Sequence, residues 1–302
     1  TDVATAEGAP DNLVSIASLH REVWLFGTQT IEVWDNTGAA FFPFQISGGG
    51  FIEQGCVAKF SVAKLDNSMF WLGSDSTGDS IVYRSYGYLP VRISTHPVEE
   101  AFRTYSTTAD AFAYAYQEEG HLFYVLTFPT GDATWVYDVA SKMWHQRAYQ
   151  DADGFLHRDR VNCHITTARG HYVGDFSNGK IYQQSTAFSD DDGNRVYRER
   201  AWEIPTKDHM KQRLDLFELT ALSGDGDGAG GAPIVWLQVS QDYGETWGYE
   251  RQRTLGVIGL RKARARWRRL GSGRNTVLRV ATNMPQRVSW VKGIVKGEPL
   301  DT

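Results

Sequence analysis

The chemically most loaded segment of this 302-residue chain is Gly259-Leu-Arg-Lys-Ala-Arg-Ala-Arg-Trp-Arg-Arg-Leu-Gly271. Read as a strand, it sets Lys262, Arg264, Arg266 and Arg268 on one face and Ala263, Ala265 and Trp267 on the other, because strand side chains alternate. Arg, Lys and Ala would also suit a helix, but the flanking glycines and the alternation favour the strand. Like charges in a row repel unless anions answer them. The candidate anions are DNA phosphates, carboxylates of this chain, or the acidic edge of a second copy; Arg forks bind carboxylates bidentately. The alternative is a solvated basic face with no partner. The wider charge balance favours a partner. Residues 1–200 carry 15 Lys/Arg and 25 Asp/Glu, whereas residues 201–302 carry 16 and 11, and no acidic residue lies between Glu250 and Glu298. Such asymmetry argues for a polar contact surface.

A second motif is Ser240-Gln-Asp-Tyr-Gly-Glu-Thr-Trp247. It resembles an Asp-box, a hairpin turn of sialidases and many other propellers. Asp242 can accept from nearby backbone N–H groups, Gly244 can supply positive φ, Thr246 lies within the turn, Ser240 opens it and Trp247 packs underneath. The device closes a hairpin and says almost nothing about activity. With ten Trp residues it raises a glycan-binding or sialidase-like alternative, which would need convergent carboxylates in a cleft. Glu99-Glu100 and Glu118-Glu119 read as solvated or turn carboxylates. Gly48-Gly49-Gly50 leads into Phe51 rather than a Lys-Ser/Thr helix, which excludes a P-loop. Cys56 and Cys163 are too few for a disulfide framework and read as buried small hydrophobes. His157, His164 and His171 lack zinc-ligand spacing. Asp225 and Asp227 lack the spacing of a calcium loop. No catalytic residue, metal or cofactor is expected, and the chain is read as a non-enzyme.

The elements that would position these residues are strands. Four stretches repeat one pattern of aromatic run, Gly/Asp/Asn turn and second run: Trp24–Trp34, Trp71–Tyr83, Tyr124–Tyr137 and Tyr172–Tyr182. Hairpins recurring at roughly 50-residue intervals are the signature of a β-propeller. Residues 61–73 read as two strands joined at Asp66-Asn67, and Asn178-Gly179 is a hairpin signal because both positions tolerate positive φ. Pro129 ends the strand from Gly120, and residues 95–105 offer one or two helical turns with Pro97 near the start. The segment Arg213–Leu222 is expected to be buried on both faces for part of its length. Residues 223–232 are Gly-rich and read as a loop tip. The expected fold is all-β: propeller blades over 1–190, and further strands over 191–302, either remaining blades or a sandwich-like module carrying the Asp-box hairpin. No apolar run is long enough for a membrane helix.

Several stretches taken in order resemble one family: Ile31–Gly38 with Phe42–Gln45, Phe70–Gly73 with Val82–Arg84, Val91–His96, Gln117–His121 with Phe123–Leu126, Ala133–Asp138 with Met143–His145, Val173–Phe176 with Asn178-Gly179, then Ser240–Trp247 and Trp267–Gly271. They are similar to the tail nozzle, or packaged-DNA stabilisation, proteins of short-tailed phages. The resemblance implies a structural virion component with a propeller body, made in the host cytoplasm. It implies a homo-oligomeric ring, commonly of six copies, that extends the portal and adaptor channel, meets tail fibre or needle proteins, touches DNA in transit and retains the genome until ejection. Family members are usually longer, so an N-terminal portion is expected to be missing. Because strong phosphate binding would hinder sliding DNA, Arg264, Arg266 and Arg268 are expected to dock on a subunit or adaptor; a DNA-binding module over residues 251–279 is the other reading.

Overall fold

The computed structural model describes residues 8, 10–74, 78, 80–206, 210–223, 233–255, 263–285 and 288–300. The Gly-rich stretch 224–232, with Asp225 and Asp227, and Lys262 lie outside the described residues. The chain divides into two compact units, Thr1–Ser185 and Thr186–Thr302.

The first unit is a succession of antiparallel meanders. The first sheet comprises β1 (Leu13–Leu19), β2 (Glu22–Gly27), β3 (Ile31–Asn36) and β4 (Phe44–Ile52). The second comprises β5 (Ala63–Leu65), β6 (Ser68–Ser74), β7 (Ser80–Tyr86) and β8 (Leu89–Arg92). Helix α1 (His96–Arg103) follows, then β9 (Phe112–Glu118), β10 (His121–Phe128), β11 (Ala133–Asp138), β12 (Met143–Gln150) and β13 (Leu156–Arg158) form the third. The fourth holds β14 (Val161–Thr167), β15 (Gly170–Asp175) and β16 (Ile181–Gln184). In each of these sheets, neighbours in sequence are neighbours in space. That is how a propeller blade is wound.

What holds consecutive sheets together is burial of central strands on both faces. On β6, Met69 and Trp71 join Trp24, Phe26, Ile31 and Val33 of the first sheet. The alternate residues Phe70 and Leu72 join Tyr124, Leu126 and Phe128 of the third. On β10 the pattern repeats: Tyr124 stacks on Phe70 at 5.3 Å, while Val125 clusters with Val161 and Val173 of the fourth sheet. Helix α1 has Pro97 in its first turn and Thr95 at the N-cap, and it inserts Val98 and Phe102 into the cluster between the second and third sheets. Glu99 departs from its expected solvated setting. It is buried, and it accepts from Ser94 Oγ at 2.6 Å and Arg92 Nε at 2.7 Å.

The second unit is a β-sandwich. A short ribbon, β17 (Asp190–Asp191) and β18 (Asn194–Arg195), precedes β19 (Arg198–Glu203), β20 (Gln212–Ser223), β21 (Ile234–Ser240), β22 (Arg251–Thr254), β23 (Ala263–Gly273), β24 (Val277–Thr282) and β25 (Val288–Pro299). One sheet has the order β19-β24-β21-β22 and the other β23-β20-β25. Val235, Leu237, Leu278 and Val280 of the first meet Leu214, Phe217, Leu219, Ala265 and Trp267 of the second. Two-faced burial of β20 does not occur. A bulge between Leu214 and Leu216 puts Leu214 on the same inner face as Phe217, Leu219 and Ala221, because an extra residue flips the alternation.

Aspartates tie the turns. Asp11 accepts from the backbone N–H groups of Thr28, Gln29 and Thr30 at 2.7 to 2.9 Å, and from both threonine hydroxyls. Burial pulls its carboxyl upward, but these donors outweigh burial and hold it at about 2 instead of 3.8. Asp175 similarly binds Ser177 and Asn178. The Asn178-Gly179 hairpin forms, but only Gly179 has positive φ. Asn178 instead caps the Lys180 N–H through its side chain at 2.8 Å. Of the two cysteines, both free, Cys56 is buried, and burial raises its thiol to about 11; Cys163 is exposed on β14 rather than buried.

Two outcomes follow from this packing. Trp71→Ala should cost about 3–5 kcal/mol in urea unfolding, because the fully buried indole packs on Phe26 of the first sheet and Tyr83 of its own. A carboxyl depressed in the folded state stabilises above its ordinary value and stops doing so as pH falls through the folded value. Stability should therefore fall between about pH 4 and pH 2, and Asp11→Asn should show a smaller drop across that window in thermal melts.

Candidate interaction face

The outer face of the three-stranded sheet of the sandwich gathers cations from two separate strands. On β23, Arg264, Arg266 and Arg268 are exposed while Ala265 and Trp267 are buried. Strand β20 lies beside it, with Thr220 opposite Arg264, Glu218 opposite Arg266 and Leu216 opposite Arg268. Across β20 stands β25, which sets Lys292 beside Thr220 and Lys296 beside Leu216. Lys292 and Lys296 are both exposed. Sequence reasoning missed these two lysines. They are more than twenty residues from Arg268 in the chain, and only the β20–β25 pairing brings them to the same face.

One carboxylate answers this charge locally. Glu218, mostly buried with its side chain 12% exposed, accepts from Arg266 Nε at 2.5 Å and faces Arg264 Nε at 3.8 Å. Among the described residues, Arg268 makes no ion pair. At the far end of the sheet Arg213 is held by Asp215 at 2.8 Å and Glu298 at 3.0 Å. The face therefore carries an excess of positive charge that the described residues do not neutralise in place.

Other basic residues of the same stretch have a structural role. Arg253 Nε donates to the Arg266 carbonyl at 3.0 Å, and Arg251 Nη1 to the Arg269 carbonyl at 2.9 Å. The Trp267 indole N–H donates to the Arg251 carbonyl at 2.6 Å. These bonds join β22 to β23 and close one side of the sandwich, so that the edge of β23 does not present bare carbonyls. Arg279 is also engaged, bonded to Gln238 Oε1 and lying 4.0 Å from the Trp247 ring centroid. The basic stretch 251–279 thus divides into stapling residues and surface residues.

The Ser240–Trp247 segment forms the turn after β21. Ser240 Oγ donates to Asp242 Oδ1 at 2.6 Å and accepts from the Gly244 N–H at 2.8 Å. Thr246 donates to Asp242 through its backbone N–H at 2.9 Å and its hydroxyl at 2.5 Å. Gly244 has φ 96°, a conformation that a side chain resists. The donors from Ser240 and Thr246 lower the Asp242 carboxyl to about 2. The carboxylate is engaged within its own turn, which is structural chemistry.

Among the described residues, no group of three or more His, Cys, Asp or Glu side chains could hold a metal ion. His157 is bonded to Asp132 and Asp151 at 2.7 and 3.1 Å, and His164 to His171 at 3.2 Å. No helix among the described residues is long and apolar enough to cross a membrane.

Two family models match the chain. One, described as bacteriophage P22 Gp10, beta-propeller, matches residues 1–189. The other, bacteriophage P22 Gp10, beta-sandwich, matches residues 197–298. No curated protein matches. Among solved structures, a fructofuranosidase variant from Schwanniomyces occidentalis complexed with fructosylnystose is similar at 7% identity, covering 91% of this chain and 67% of that one, with a TM-score of 0.20. A likeness that slight carries no argument about sugars.

Glu218→Gln tests the local balance of the basic face. It should lower stability by about 1–2 kcal/mol at low salt, with the loss shrinking in strong salt (at about 0.5 M the screening length is roughly 4 Å). A loss that did not depend on salt would mean that packing, not charge, explains the residue.

Proposed function

This chain belongs to the bacteriophage P22 Gp10 family, and on that footing we propose that it is a tail nozzle subunit which extends the portal and adaptor channel. The family is one of phage structural proteins that stabilise packaged DNA, and the chain works as part of a virion assembled with other virion proteins. The observation that carries the finer reading is the order of two matched segments, propeller then sandwich, over nearly the whole chain. In this reading copies form a ring of six around the DNA path, and tail fibre or needle proteins attach to it. Assembly takes place in the host cytoplasm, and the chain performs no catalysis.

The basic face fits this role as a docking surface for protein. A channel wall that neutralised many phosphates would bind DNA with steep salt dependence, and a ring would multiply those contacts by its copy number. DNA must leave such a channel. Arg264, Arg266 and Arg268, joined by Lys292 and Lys296, therefore meet carboxylates of a neighbouring subunit or of the adaptor. Desolvated pairs of this kind fix orientation more than they add stability.

Native mass spectrometry of the full chain tests both points. A six-copy ring is the expected species. Arg268→Glu combined with Lys296→Glu, two exposed positions flanking Leu216, should reduce the ring population by about tenfold with circular dichroism unchanged. A chain that stays monomeric at all concentrations contradicts the ring. Micromolar duplex-DNA binding at physiological salt, lost in the double variant, would assign the face to DNA instead.

A further inference from the structure

The two sides of the sandwich are finished differently. The side between β22 and β23 is closed by Arg251, Arg253 and the Trp267 indole. On the opposite side, between the edge strands β19 and β25, the sheets part around a cavity of about 560 Å³, lined by residues of β19, β20, β24 and β25. Alternate residues of β19, Arg198, Arg200 and Trp202, face it. From β25 come Val288 and Trp290, and Lys292 at the rim where the outer face turns into the groove. The Trp290 indole N–H is buried and meets no acceptor among the described residues. Arg200 is exposed, and among the described residues it makes no ion pair. Arg198 is already engaged, donating through Nη1 to the Met284 carbonyl at 3.2 Å. Arg200 and Lys292, two indoles and two sheet edges thus converge on one groove.

We propose that this groove receives the acidic ribbon of a second copy of the chain, residues 186–195. The inference rests on the ring reading above and names one contact within it. The ribbon has the complementary chemistry. Phe188 is 52% exposed, Asp190 two residues on is exposed, and Asp191 and Asp192 follow. The aromatic anchor meets the two indoles, and the carboxylates meet Arg200 and Lys292, which pair with them as a fork and a point charge. The side chains of the ribbon enter the cavity while its backbone lies along the rims. Edge strands on both rims offer backbone partners to an extended segment. Ribbon and groove are different surfaces, so the contact is head-to-tail, the kind that closes into a ring when its rotation allows.

A carbodiimide, which joins carboxylates to amines, tests this on the full chain. Light and 15N-labelled copies are mixed before assembly, crosslinked and digested. The expected product joins Lys292 to Asp190, Asp191 or Asp192 with one light and one heavy partner. Arg200→Glu should reduce its yield by about tenfold without changing the thermal melt. Its absence, or crosslinks only within one isotope, overturns the proposal. So does displacement by an equimolar single-stranded oligonucleotide, which would assign the groove to nucleic acid. A ring that forms without this crosslink sinks the groove contact and leaves the ring reading intact. Crosslinked copies that never close into a ring keep the contact and sink the ring reading.

Discussion

The structure of the first unit depends on central strands that have no solvent face. Strands β6 and β10 each present alternate residues to the sheet before and the sheet after. A sheet so placed cannot shift register by one residue without exchanging its two sets of partners. Each meander is thereby fixed by its neighbours, and the aromatic content is concentrated where it packs twice. Stiffness of this kind suits a part that must hold its form while DNA is retained.

The same economy governs charge. Aspartates are engaged in turns: Asp11 on the β2–β3 turn, Asp175 before Asn178-Gly179, and Asp242 after β21. Arginines that look like phosphate ligands in the sequence staple β22 to β23. What remains for partners is the smaller set on the outer face of β23 and β25 and at the β19–β25 edge of the sandwich. Exposed cations on a sheet face or edge also discourage indiscriminate strand pairing, so the surface can be specific without being adhesive.

Much of the fold was legible in the sequence because its signals are local. The recurring aromatic hairpins, the junction of two strands at Asp66-Asn67, and Pro97 at the start of α1 all follow from neighbouring residues. Other features were not legible. His20 and Arg21 adopt positive φ between β1 and β2, although an Arg gives no signal of such a turn; the pairing of the flanking strands imposes it. The β20 bulge reverses the alternation that suggested two-faced burial. Alternation placed Arg264, Arg266 and Arg268 on one strand face, but Lys292 and Lys296 joined them only through long-range pairing. The groove at the sandwich edge depends on four strands at once, and no short motif announces it.

Electron cryo-microscopy of the assembled full-length protein tests the central claim most directly. The predicted image has copies arranged around an axial hole, with the basic sheet face of each turned toward protein. Isolated single copies, or a ring whose basic faces all line the hole against DNA, would contradict it.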